Sequence, residues 1–266
     1  MRKKRVRATV RIALISGTPN LTPRSESTRY HTRLGSGIDP PASANARGRR
    51  MIQWAEIDTV LLDMDGTLLD LHYDNRLWNE LLPERFGQHA GIDVNAASER
   101  LFAEMRAVYG TREFYCLDHW CRVTGLDVIA LHHDLVDLIR YRPGAERFLD
   151  WLRASGRRSV LVTNAHRGSV GVKDRHARLL ERLDADVSCH DYGAPKESQL
   201  FWQQLLEAHP FDPARTLFID DNAPVLDAAA QFGVRHLLTV RQPDSARPAR
   251  TELRYPAFND FAEIIP

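Results

Sequence analysis

From Ile57 onward, short apolar runs rich in β-branched residues alternate with stretches whose apolar positions recur every three to four residues. Thr59–Leu62, Ser159–Val162, Thr216–Ile219 and Val234–Val240 read as strands, and their near-continuous apolarity marks strands buried on both faces. Ala185–Ser188 is a weaker apolar step of the same kind. Helical periodicity fills the gaps: from Pro143-Gly144 to Ala154, over 168–182, over Glu197–His209, and over Ala223–Phe232, where Gly233 is the natural stop. Strands separated by helices of this length predict βαβ units in an α/β fold with a Rossmann-like open parallel sheet. One stretch breaks the rhythm. Residues 74–139 contain no strand pattern and divide at Gly87, Gly91, Gly110 and Gly125 into helices near 74–86, 94–109, 113–124 and 127–139. An all-helical insertion after the first strand predicts a cap over 73–139 on a core made of 51–72 and 140–266.

Composition changes the picture at the N-terminus. The 266 residues carry a formal charge of +1, but residues 1–50 hold 12 Lys/Arg against two acids. Residues 51–266 therefore carry 24 basic and 33 acidic groups, a net of −9 behind a +10 leader. A uniformly basic nucleic-acid binder is excluded. The leader is rich in Arg, Ser, Gly and Pro, too poor in apolar residues to offset the entropy of ordering, and is expected to be disordered. A secretory signal fails because Arg11 interrupts the only apolar patch. An organelle transit peptide or a nucleic-acid arm fits the composition, while the simplest reading is an incidental extension upstream of Met51. No apolar run approaches the ~20 residues that span a bilayer. Cys116, Cys121 and Cys189 form no CxxC pair; each reads as a small apolar residue in a reducing cytoplasm.

Ligands of open parallel sheets bind beyond the carboxyl ends of the strands, so the residues that follow each apolar run matter most. They are Asp63-Met-Asp-Gly-Thr67 after the first, Thr163-Asn164 after the second and Asp220-Asp221 after the third, with Pro195-Lys196 heading a helix between. Carboxylates crowded this way repel one another unless a cation joins them, and oxygen-only donors favour Mg²⁺. No His/Cys set has zinc-finger spacing.

Asp63-Met-Asp-Gly-Thr67, Thr163, Lys196 and Asp220-Asp221, in this order, resemble the four motifs of the haloacid dehalogenase-like hydrolase superfamily. The stretch Asp58–Leu71, with Tyr115-Cys-Leu-Asp118, Thr163-Asn-Ala-His166, Thr216–Asp221 and Leu226–Arg235, is similar to the bacterial GMP/IMP nucleotidase branch. The resemblance implies that Asp63 is a nucleophile forming an aspartyl-phosphate and that Asp65 is the general acid and base. It implies that Thr163, Asn164 and Lys196 bind phosphoryl oxygens and that Thr67 helps, by orienting Asp65. It implies Mg²⁺ held by Asp63, the Asp65 main-chain carbonyl and Asp221. Asp220 stands where the commoner motif has Gly, and Val225 where it has a later Asp. Asp220 is therefore expected to act through water or to position Lys196. Dehalogenases of the superfamily lack an acid/base at the place of Asp65, since halide leaves without a proton, so a phosphomonoester is the expected substrate.

Tyr73, Trp78, Tyr115 and Trp120 make the insertion aromatic; helical aromatics are mostly core, and the purine monophosphate reading rests on the resemblance. His166 lies near enough to the crevice to meet substrate, whereas His132-His133 and His190 read as surface or loop residues. Lys173-Asp174 reads as a polar helix face and Asp227 as a solvated helix charge. The alternatives are a phosphatase for sugar phosphates or phosphoglycolate, and an idle phosphate-binding module on the same scaffold. A nucleic-acid-binding protein, its binding carried by the leader, is a third alternative, nucleic acid not being an expected partner, and oligomeric state is not legible.

Overall fold

The computed structural model describes residues 51–266, so the expectations for the basic leader lie outside the described residues. Helix and strand alternate through most of the chain. The first strand, β1 (Thr59–Leu62), is followed by a helix of two α segments, α1 (His72–Arg76) and α2 (Leu82–Ala90), joined by one wider π turn at Leu77–Leu81. Helices α3 (Val94–Ala107), α4 (Leu117–Thr124) and α5 (Val128–His133) complete an all-helical block. Then come α6 (Ala145–Ser155), β2 (Arg158–Thr163), α7 (Arg167–Ala177), β3 (Ala185–Ser188) and the short α8 (Cys189–Tyr192). The remainder is α9 (Gln199–Ala208), β4 (Thr216–Ile219), α10 (Ala223–Phe232), β5 (His236–Val240) and β6 (Ala257–Phe258).

All six strands pair in parallel, in the order β3-β2-β1-β4-β5-β6. The chain winds from the centre to one edge and then to the other, which makes β1 the strand beside the switch in winding direction. Burial of the strands follows from the helices on both faces. Val60 and Leu62 point into one apolar layer with Phe148, Leu149, Leu152 and Phe261, while Leu61 points into the other with Phe201, Trp202, Phe218 and Leu226. Alternation along a strand of four buried residues thus feeds two cores. The helical block has a third apolar cluster of its own, built on Leu82, Leu101, Leu117, Trp120 and Val128.

The elements expected from periodicity are present, with shifts at their ends. The expected 168–182 helix stops at Ala177, where Arg178 takes a left-handed φ of 51°, and a single 3₁₀ turn follows at Leu180–Arg182. The 113–124 helix starts as a 3₁₀ turn at Arg112–Tyr115 before α4, because Cys116 is extended. The two-residue β6 and the one-turn α8 are too short to leave a periodic signature.

Several single-residue expectations are corrected. His132 is not a surface residue: it is 1% exposed, and its Nδ1 lies 2.7 Å from the Tyr73 hydroxyl. Lys173 is not on a polar face but buried. Asp227 is not merely solvated, since it accepts from the Tyr255 hydroxyl at 2.6 Å and pairs with Arg254. Of the three cysteines, all free, only Cys189 is fully buried.

Candidate active site

Register builds the site. Leu62 pairs with Leu161 of β2 on one side and with Ile219 of β4 on the other, and the Asp63 N–H donates to the Ile219 carbonyl at 3.0 Å. Asp63 and Asp220 therefore emerge at one level and Thr163 one residue beyond it, all on the same edge of the sheet. Gly66 turns the chain immediately afterwards with φ +84°, and a Cβ there would lie 2.8 Å from Asp221 Cγ. Only glycine satisfies both the left-handed backbone and the close approach.

Lys196 sits at the centre of this edge. Its buried Nζ donates to Asp63 Oδ1 at 2.6 Å, to Asp220 Oδ2 at 2.7 Å and to the Val162 carbonyl at 3.1 Å. Burial opposes its charge, but Asp220 and Asp63 outweigh that and hold its pKa above the ordinary lysine value. Burial raises the Asp63 carboxyl to about 7, with Asp220 and Asp65 adding to the rise and Lys196 opposing it. Asp221 is raised well above the usual carboxylate range by burial, by Asp220 and by Asp63.

Carboxylate oxygens of Asp63, Asp220 and Asp221 lie within 4.8 Å of one another, all three residues being buried. Asp221 Oδ2 is buried without any hydrogen-bond partner. An unpartnered carboxylate oxygen beside two further carboxylates, with one ammonium among them, is a donor set that fits a hard divalent cation.

Asp65 faces this group from the turn, and its Oδ1 accepts from Lys173 Nζ at 2.6 Å. The same ammonium donates to Asp74 Oδ1 at 2.7 Å, which ties α7 to α1 through a fully buried cation. Burial, with the charge of Asp65 second, raises the Asp74 carboxyl to about 7 against the pull of Lys173. Neither Lys173 nor Asp74 was expected here. A signal existed: Lys173 follows Ser169 by four residues and Val170 by three, on the stripe of α7 that is buried. The Lys-Asp pairing in sequence hid it.

Thr163 is buried, its Oγ1 accepting from the Ala165 N–H at 3.0 Å, with the hydroxyl proton left to donate into the crevice. The Asn164 carboxamide is engaged at both ends, accepting from the Lys196 N–H at 2.9 Å and donating to Glu197 Oε2 at 3.0 Å. Glu197 in turn accepts from the Tyr115 hydroxyl at 2.7 Å, so this network runs from the sheet edge into the helical block. Thr67 is fully buried, and its Oγ1 bonds nothing in the protein.

A cavity lies between the sheet edge and the block. The sheet edge contributes Asp63, Asp65, Thr163, Lys196 and Asp221 to its lining, and the block contributes Trp78, Tyr109, Phe114 and Tyr115. The lining thus combines ionic groups from the sheet edge with aromatic rings from the block. Tyr73, by contrast, is core, and Trp120 reaches the cavity while being 1% exposed. His166 also borders the cavity, as expected from its position after Asn164.

A family model of haloacid dehalogenase-like hydrolases matches residues 57–233. The chain is 43% identical over 215 residues to the GMP/IMP nucleotidase YrfG of Escherichia coli (strain K12), covering 81% of this chain and 97% of that protein. The GMP/IMP nucleotidase YrfG of Shigella flexneri matches to the same extent. Among solved structures, a HAD phosphatase from Thermococcus onnurineus superposes with TM-score 0.64 at 18% identity, covering 78% of this chain and 96% of that one. CbbY from Rhodobacter sphaeroides, in complex with phosphate, gives TM-score 0.52 at 20% identity over 78% and 96%. At these identities the two structures speak for the fold alone.

Proposed function

The chain belongs to the haloacid dehalogenase-like hydrolases, and from that premise we propose that it is a Mg²⁺-dependent 5′-nucleotidase acting on purine monophosphates such as GMP and IMP. It is a phosphoric monoester hydrolase; the finer reading concerns substrate, metal and steps. The observation that carries it is the cavity itself, lined by a buried carboxylate and an ammonium from the sheet edge and by aromatic rings from the block. The identity to the E. coli nucleotidase over nearly its whole length supports the choice of substrate.

In this reading Asp63 attacks phosphorus, and its new O–P bond forms as the bond to the leaving 5′ oxygen breaks. Asp65 delivers the proton that oxygen needs. Asp65, now a carboxylate, then takes a proton from the water that attacks the aspartyl-phosphate, which releases inorganic phosphate and restores Asp63. Lys196 and the Thr163 hydroxyl hold phosphoryl oxygens, and Lys196 keeps Asp63 aligned through its 2.6 Å contact. Asn164 fixes the main chain of Lys196, with one Nδ2 hydrogen left for substrate. Lys173, itself held by Asp74, orients Asp65, a task assigned above to Thr67.

Mg²⁺ would be held by Asp63, Asp221 and the Asp65 main-chain carbonyl, with Asp220 behind, and when bound it supplies positive charge among the carboxylates and the phosphoryl oxygens. The block over 73–139 acts as the cap that excludes water from a core of 51–72 and 140–266. No helix among the described residues is long and apolar enough to cross a membrane, and we place the enzyme in the cytoplasm, where free thiols persist.

A panel of phosphorylated metabolites assayed with and without Mg²⁺ tests the proposal. GMP and IMP should be turned over with the highest kcat/KM, and chelation should abolish activity. A preference for sugar phosphates or phosphoglycolate, or a flat profile, would defeat the nucleotidase reading while leaving the phosphatase standing.

A further inference from the structure

At the seam between the helical block and the sheet edge lies a second constellation, separate from the carboxylates. Cys116 precedes α4, His166 caps α7 just after β2, and His190 stands in the first turn of α8 just after β3. Parallel pairing of β2 with β3 brings the two histidines side by side, their rings crossing edge to face with centroids 4.8 Å apart. One ligand atom from each of Cys116, His166 and His190 lies within 4.8 Å of the other two. Asp118 Oδ2, one turn into the block, is 3.9 Å from His166 Nε2.

The chemistry of the three is that of a borderline-soft cation site. Both imidazoles are half-buried, and burial disfavours their charged form. The Nε2 of His190 is buried with no hydrogen-bond partner. A buried nitrogen without a partner, on a ring that has a thiol and a second imidazole beside it, leaves donor capacity that hydrogen bonding within the protein does not use. Hard Mg²⁺ disfavours sulfur and nitrogen donors, so the two cation sites differ in chemistry.

We propose that Cys116, His166 and His190 form a Zn²⁺ site, with Asp118 in reach as a fourth ligand. Ligand atoms around a tetrahedral zinc stand roughly 3.4–3.6 Å apart, given Zn–S near 2.3 Å and Zn–N near 2.0 Å. Closing the cluster therefore takes side-chain movements of about an ångström. Cys116 gives up its thiol proton to solvent on binding. His166 ligates through Nε2, and its Nδ1 then gives up the bond it accepts from the Gly168 N–H at 3.1 Å, a single helix-cap bond. Cys116 and Asp118 belong to the helical block and the histidines to the sheet edge. The occupied site therefore fastens the block over the cavity, which His166 borders.

The test is spectroscopic and independent of turnover. Full-length, reduced, metal-free protein is titrated with Co²⁺ in excess Mg²⁺, which keeps the carboxylate centre filled. One equivalent should produce a thiolate-to-cobalt charge-transfer band and tetrahedral visible bands, and Zn²⁺ should displace them. Cys116→Ser should lose the charge-transfer band, and His190→Gln should weaken Zn²⁺ binding about tenfold or more. Cys121→Ser, the other thiol in the block, should change neither. Circular dichroism melting confirms that each variant is folded. Absence of the charge-transfer band in the wild type, or unchanged Zn²⁺ affinity in folded Cys116→Ser, would overturn the proposal.

Discussion

Among the described residues the buried Lys173 ammonium has two hydrogen-bond partners, both carboxylates, at 2.6 and 2.7 Å. Removing one member of such a group leaves a buried charge uncompensated, a loss of roughly 3–5 kcal/mol. Lys173→Met should accordingly destabilise the fold by that order in a urea titration, and Lys173→Met/Asp74→Asn by less, because the second change removes the charge left behind. A double variant as unstable as the sum would contradict the pairing. Asp63→Asn should fold with a near-normal melting temperature, since Lys196 keeps Asp220, and should lose at least about a thousandfold in kcat.

His132 gives the clearest pH dependence. Burial lowers its pKa to about 3, against about 6.5 in an unfolded chain, so the folded state refuses a proton that the unfolded state accepts. Its contribution is intact above pH 6.5 and is lost progressively as pH falls toward 3. Between pH 7 and pH 5 the wild type should lose about 2 kcal/mol relative to His132→Asn. NMR titration of the imidazole should show no protonation above about pH 4. His132 is not recognisable from local sequence, and Lys173 shows only through its place on the apolar stripe of α7, because each is a polar residue whose burial depends on what another helix lays over it.

At the scale of elements, the turn after β1 is a tight point beside the carboxylates. Gly66 must take φ +84° while passing the Asp221 carboxylate, so Gly66→Ala imposes backbone strain and a contact of 2.8 Å together. That variant should express with its secondary structure intact yet lose most activity and Mg²⁺ affinity, as calorimetry would show. If Mg²⁺ affinity were unchanged, the Asp221 carboxylate would not be the group displaced. The strands were legible because four-residue apolar runs ending in polar residues have few other readings. The ends of the helices were less so: Arg178 stops α7 through its own left-handed backbone, which composition does not announce.

For the molecule as a whole, three buried carboxylates with raised pKa values sit in the folded state at a free-energy cost. A cation that binds only the folded form relieves that cost, so Mg²⁺ at a hundred times its Kd should stabilise by about 2.7 kcal/mol. For a domain of this size the melting temperature should rise by roughly 5–10 °C. Differential scanning calorimetry with and without Mg²⁺ checks this, and Asp221→Asn should erase most of the shift.

By itself the sequence determined the α/β class, the parallel sheet, the helical insertion and the residues at the strand ends, because each rests on local period or on a short motif. The structure brings Lys196, Asp63 and Asp220 together because topology sends every carboxyl end to the same edge. Only the tertiary structure decided what the neighbours of those residues are. Lys173 meeting Asp65, Glu197 linking Asn164 to Tyr115, and Cys116 meeting His166 and His190 all join segments between 33 and 108 residues apart. Such contacts depend on helix rotation and strand order, and a linear pattern carries neither.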